Sequence, residues 1–160
     1  MAEIKDKVIE RMTQLANDIA ASIARHGLTA SGATARSLKV VDEGNEVALY
    51  GRTFFPALET GSANWTGYTG IHCTFYEFRE IIRQWATAKG LNFGQAKDYD
   101  KAVGAITSSI IRRGTAQKRS GVRLDVYTTL LDQAVADIGE IVMSAYGEEI
   151  TNHLDKWRTN

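Results

Sequence analysis

Apolar residues recur at spacings of three or four from Ile4 to Ile23, with charges between them. Ile4, Val8, Met12, Leu15, Ile19 and Ile23 share one stripe, which predicts an amphipathic helix ending at Gly27, a residue suited to a left-handed cap. Some 25 helical residues measure roughly 38 Å. That is long for a domain of this size. The far end repeats the pattern. Leu131, Ala134, Val135, Ile138, Ile141, Val142, Ala145 and Tyr146 give a second long helix with a broad apolar face. Gly139 and Gly147 weaken it by about 1 kcal/mol each relative to alanine, so it needs packing partners.

Between these helices lies a hairpin signal. Residues 37–41 and 46–50 are short β-prone runs joined by Asp42-Glu43-Gly44-Asn45. Pro56 opens a single helical turn that Gly61 closes. Thr74 and Glu77 have capping-box spacing at the head of a helix that carries Phe75, Phe78, Ile81, Ile82 and Trp85 inward and stops at Gly90. A further helix is expected from Asp98 to Gly114, which makes a helical hairpin inserted over about 74–114. Val122, Leu124 and Val126 alternate with polar residues and read as a third strand. The expected fold is α+β: one domain over 1–160, with a small antiparallel sheet of a hairpin and about one further strand, packed by long N- and C-terminal helices. A sheet this small leaves free edges, which another chain can pair.

Composition narrows the function classes. With 44% hydrophobic and 24% charged residues the chain is ordinary for a globular protein, which excludes a largely disordered one. The longest apolar helical candidate, 102–111, is interrupted by Thr107, Ser108 and Ser109, so no membrane span is expected. The N-terminal MAEIKDKVIE has no signal-peptide core, and export is not expected. A single cysteine, Cys73, excludes an internal disulfide and argues against a cysteine zinc site. The net charge is zero but unevenly spread. Residues 1–124 carry 17 Lys/Arg against 12 Asp/Glu, and residues 125–160 carry 2 against 7. The split is either a solvated accident or a pair of complementary faces for head-to-tail contacts between subunits.

Catalytic chemistry is not legible. No phosphate-binding glycine motif is present. His26, His72 and His153 are too scattered to form a ligand pair, so no metal or cofactor is expected. The adjacent His72 and Cys73 point to opposite sides of an extended chain, which does not suit a nucleophile and its base. Glu59 is a lone carboxylate in a short turn and reads as a hydrogen-bonded or capping acid. The glycine- and threonine-rich segment 61–73 holds Trp65 and Tyr68, which suit an interface loop or fold back onto the core. Arg112, Arg113, Lys118, Arg119 and Arg123 fall within twelve residues, on and just after an expected basic loop from Arg112 to Gly121, with no acid among them. They read as a solvated loop, or as a contact to DNA phosphates or an acidic partner.

The order of these pieces carries a resemblance. The small-residue turn Ser31-Gly32 precedes Ser37-Leu38-Lys39-Val40, and a second strand ends at Tyr50. Phe55, Leu58, Glu59 and Gly61 then spell F-x-x-L-E-x-G. Ile82-x-x-Trp85 with Lys89-Gly90 follows, then I-I-R-R-G-T over 110–115, then the C-terminal helix. Over roughly residues 28–146 the chain resembles the tail-completion, or head–tail joining, family of tailed bacteriophages. Two departures stand out. Ala116-Gln117 follows Gly114-Thr115, and Ser62-Ala63-Asn64 follows the L-E-x-G turn, where family members often carry a proline. The resemblance implies a non-enzymatic virion protein of the neck, head–tail connector or tail terminator. It implies a homo-oligomeric ring of roughly six or twelve copies around the DNA channel. Its partners would be itself, neighbouring portal, connector or tail proteins, and DNA in the channel. It would be made in the host cytoplasm and end in the virion. The competing expectation is a soluble protein-binding adaptor or assembly chaperone with no catalytic activity.

Overall fold

The computed structural model describes residues 2–52, 55–63 and 74–158. Trp65, Tyr68, His72 and Cys73 lie outside the described residues. The fold is α+β, with a two-stranded antiparallel sheet among long helices. The chain forms two compact units. One comprises 1–27, 35–52 and 125–160, and the other comprises 28–34 and 53–124.

The first unit is built on α1 (Ala2–Arg25), which packs against both strands and against α7 (Thr128–Arg158). Leu15, Ile19 and Ile23 are buried along α1, as their spacing requires. Val126 and Ala134 are buried at the start of the α7 segment. Two ion pairs pin α1. Arg11 Nε donates to Asp137 Oδ2 of α7 at 2.6 Å. Lys5 Nζ lies 2.6 Å from Asp42 Oδ1 and donates to the Gly44 carbonyl at 2.9 Å. The strands β1 (Lys39–Asp42) and β2 (Val47–Tyr50) pair in the register Lys39↔Tyr50 to Asp42↔Val47. Their turn is set by Asp42, whose Oδ1 accepts from the Gly44 N–H at 2.8 Å. Gly44 itself sits at φ +87°, which strongly favours glycine there.

A single turn, α2 (Ala33–Arg36), precedes β1. The second unit holds α3 (Ala57–Thr60), α4 (Phe75–Ala88), α5 (Ala96–Arg113) and α6 (Ala116–Ser120). The capping box at α4 is formed in both directions. The Thr74 N–H donates to the Glu77 carboxylate, and the Glu77 N–H donates to Thr74 Oγ1. Helices α4 and α5 pack as the expected hairpin over buried Ile82, Ala86, Val103 and Thr107. The Thr107 hydroxyl is satisfied within its own helix, donating to the Val103 carbonyl at 2.7 Å. Arg83 Nη1 lies 2.6 Å from Asp100 Oδ1 and ties the two helices together.

Three local expectations are corrected. Residues 122–126 form no strand; the chain there is irregular, and the sheet among the described residues has two strands. Leu124 makes a single backbone bond, to the Glu59 carbonyl at 2.9 Å, where a ladder would need a partner strand. On α4, Phe75, Ile81 and Trp85 are exposed. The buried stripe runs through Ile82 and Ala86, one helical turn apart, and Ile81 and Trp85 lie on the neighbouring ridge. The basic stretch is not a loop, because Thr115 caps a short helix, α6, that Gly121 ends at φ +68°.

Candidate functional site

The two motifs F-x-x-L-E-x-G and I-I-R-R-G-T meet in the second unit. Pro56 starts the one-turn helix α3 and Gly61 leaves it. The Thr115 N–H donates to the Ser62 carbonyl at 3.0 Å, and the Ser62 N–H donates back to Thr115 Oγ1 at 3.1 Å. The same Thr115 hydroxyl accepts from the Lys118 N–H and so caps α6. Gln117 Nε2 reaches across to the carbonyls of Glu59 at 2.6 Å and Leu58 at 3.2 Å.

The approach is close enough to exclude a side chain at position 61. A Cβ there would stand 2.4 Å from Thr115 Oγ1 and 2.7 Å from the Lys118 backbone nitrogen. Gly61 also holds φ +70°. Glycine is therefore required twice over, by backbone conformation and by space.

Glu59 sits at the centre, 1% exposed. Arg123 Nη2 donates to its Oε2 at 3.4 Å. A buried carboxylate is costly unless paired, and Arg123 supplies one of the contacts that offset this cost. The expected hydrogen-bonded acid is what the geometry contains. The arrangement is a brace: it fixes α3 against α6 and the extended residues that follow it.

The five basic residues are sorted by this geometry. Arg119 Nη1 donates to the Gly114 carbonyl at 2.6 Å and satisfies the end of α5. Arg113 Nη2 donates to Ser109 Oγ at 3.1 Å. With Arg123 engaged on Glu59, three of the five bind their own unit. Arg112 and Lys118 are exposed, and no side-chain hydrogen bond or ion pair is found for either among the described residues. Arg112 and Arg113 also stand in the last turn of α5, where cations favour the helix dipole.

Sequence reasoning missed Gln117 and Ser62. Gln117 gave no signal, because a long-range side-chain bond to a carbonyl leaves no periodic trace. Thr115 and Gly121 did carry one, an N-cap and a C-terminal glycine flanking the five residues of α6.

Among the described residues, no group of three or more His, Cys, Asp or Glu side chains is placed to hold a metal ion. No helix there is long and apolar enough to cross a membrane. Comparison with protein-family models, curated proteins and solved structures finds no match to this chain.

Proposed function

We propose that this chain is a structural subunit of the neck or tail of a tailed bacteriophage, assembling as a ring around the DNA channel. The observation that supports this most is the junction of Glu59-Thr60-Gly61-Ser62 with Gly114-Thr115. Two of the stretches that carry the resemblance, F-x-x-L-E-x-G and I-I-R-R-G-T, end at this junction, and about fifty residues of chain separate them. Here they serve one mechanical purpose, a brace between two turns. A brace that spends a buried Glu–Arg pair, a glycine-only contact and a glutamine clamp on fixing loop geometry suits a protein whose work is to hold a shape.

In this reading Arg112 and Lys118 are the cations left to meet channel DNA or an acidic neighbour, since Arg113, Arg119 and Arg123 are used internally. Such contacts neutralise phosphate without reading sequence and weaken with salt. The test is solution mass by light scattering over a concentration series, with negative-stain averages of the large species. A closed ring supports the proposal. A chain that stays monomeric alone and also fails to join phage particles on complementation overturns it.

A further inference from the structure

The geometry points to the outward face of α7 as a subunit interface that receives the α4 ridge of a second copy of this chain, head to tail. The inference deepens the ring reading and rests on it for closure.

Helix α7 has more apolar surface than its own unit covers. Ala134 is buried, and Ile138, Ile141 and Ala145 are half-buried on the α1 side. A second stripe faces outward. It runs through Leu131, Val135, Met143, Tyr146 and Ile150 at spacings of one or two helical turns. Val135 is 68% exposed, Met143 77% and Ile150 60%. Gly139 lies in the middle of this stripe, and a Cβ there would meet nothing within 4 Å. The stripe extends for roughly 29 Å, too long and too continuous to be scattered surface apolarity.

Charge selects the occupant. The unit that carries α7 has 9 Lys/Arg against 14 Asp/Glu, and the unit that carries α4 has 10 against 5. The two units thus bear net charges of −5 and +5. Pairing α7 with another α7, parallel or antiparallel, would set the acidic residues Asp132, Glu140 and Glu149 of one copy near those of the other, which is repulsive. The oppositely charged unit offers its own unburied apolar ridge, Ile81 and Trp85, one turn apart on α4, with Phe75 and Tyr76 at the helix head. Aromatic residues are favoured anchors at the centre of an interface. A contact between two different faces is heterologous, and repeated by rotation it closes a ring or extends a filament.

The test uses the full chain in three forms. Val135→Glu with Met143→Glu disables the α7 face, and Ile81→Glu with Trp85→Glu disables the α4 ridge. All four positions are exposed, and circular dichroism checks that each variant stays folded. Each variant alone is expected to lose the oligomer, with the concentration of half-assembly raised about tenfold or more. Mixed together, the two are expected to form a one-to-one dimer and nothing larger, because one intact α7 face meets one intact α4 ridge. Raising salt is expected to weaken the wild-type assembly. A folded α7 variant that still forms the wild-type ring overturns the docking face while leaving the ring reading standing. Two variants that fail to pair on mixing overturn the head-to-tail arrangement. A wild-type chain that is monomeric at every concentration overturns the self-docking proposal; its incorporation into phage particles then judges the ring reading separately.

Discussion

Thr115 and Ser62 exchange three hydrogen bonds across 53 residues of sequence, the longest from the Thr115 hydroxyl to the Ser62 carbonyl at 3.5 Å, and that hydroxyl also caps the next helix. One side-chain oxygen thus joins two turns and starts α6. Thr115→Val keeps the shape and removes both acceptor roles. It is expected to cost about 1–2 kcal/mol, the sum of a lost N-cap and a half-buried amide left without its acceptor. Thr115→Ser should recover most of this. Urea denaturation midpoints for the three proteins measure it.

Gly61→Ala meets two penalties together. The residue holds φ +70° with ψ 172°, an essentially glycine-only conformation that costs an L side chain about 1–3 kcal/mol. The added methyl also collides with Thr115 Oγ1 and with the Lys118 backbone, and backbone cannot swing aside. A total loss of about 2–4 kcal/mol is expected. Restoring space with Gly61→Ala/Thr115→Ala should recover little, because the Lys118 nitrogen and the left-handed backbone remain. Full recovery in the double variant would show that the close approach to Thr115 alone was limiting.

How much of this was legible is best argued from such residues. The α1 stripe, the hairpin, the Pro56–Gly61 turn and the Thr74–Glu77 box are all set by local rules, and each forms where the sequence puts it. The misread parts depend on tertiary context. Alternation at 122–126 looks like a strand, but among the described residues no strand pairs with it, and Leu124 spends its N–H on the Glu59 carbonyl. On α4 hydrophobicity alone could not separate the Ile82–Ala86 stripe from the Ile81–Trp85 ridge, because small Ala86 is what lets the helices approach. At the brace, Glu59 and Gly61 were visible as unusual residues in a turn. Thr115 and Arg123 stood out for other reasons and Gln117 not at all; that they meet Glu59 and Gly61 was not visible, since nothing in one sequence ties positions more than fifty residues apart.

The Glu59–Arg123 pair is asymmetric, and mutation should show it. Glu59 is 1% exposed, whereas the Arg123 side chain is 66% exposed. Removing the arginine head lets water approach the carboxylate, so Arg123→Ala is expected to cost about 1 kcal/mol. Glu59→Ala removes a buried side chain, its bonds and its volume, and about 2–4 kcal/mol is expected. Equal losses in denaturation experiments would mean that the exposed arginine is not solvated as its accessibility implies.

Acid should loosen the two units through different carboxylates. Glu77 is held below its ordinary value of 4.5, chiefly because the Thr74 backbone N–H bonds its charged form. Asp42 is held below its ordinary value of 3.8, first by Lys5 and then by the Gly44 N–H. A carboxylate whose pKa is depressed by folding lends stability that is fully present above its unfolded value and is lost as pH falls through its folded value. Glu77 therefore begins to lose its contribution as pH falls below about 4.5, before Asp42 does. Glu77→Gln keeps a group that can accept from Thr74 but removes the titration. Hydrogen exchange at the head of α4 should then become independent of acid protonation, while the Asp42–Gly44 turn still loosens at lower pH. Asp42→Asn should produce the reverse pattern. If neither variant changes which segment responds first, the order of acid loosening is set by other groups.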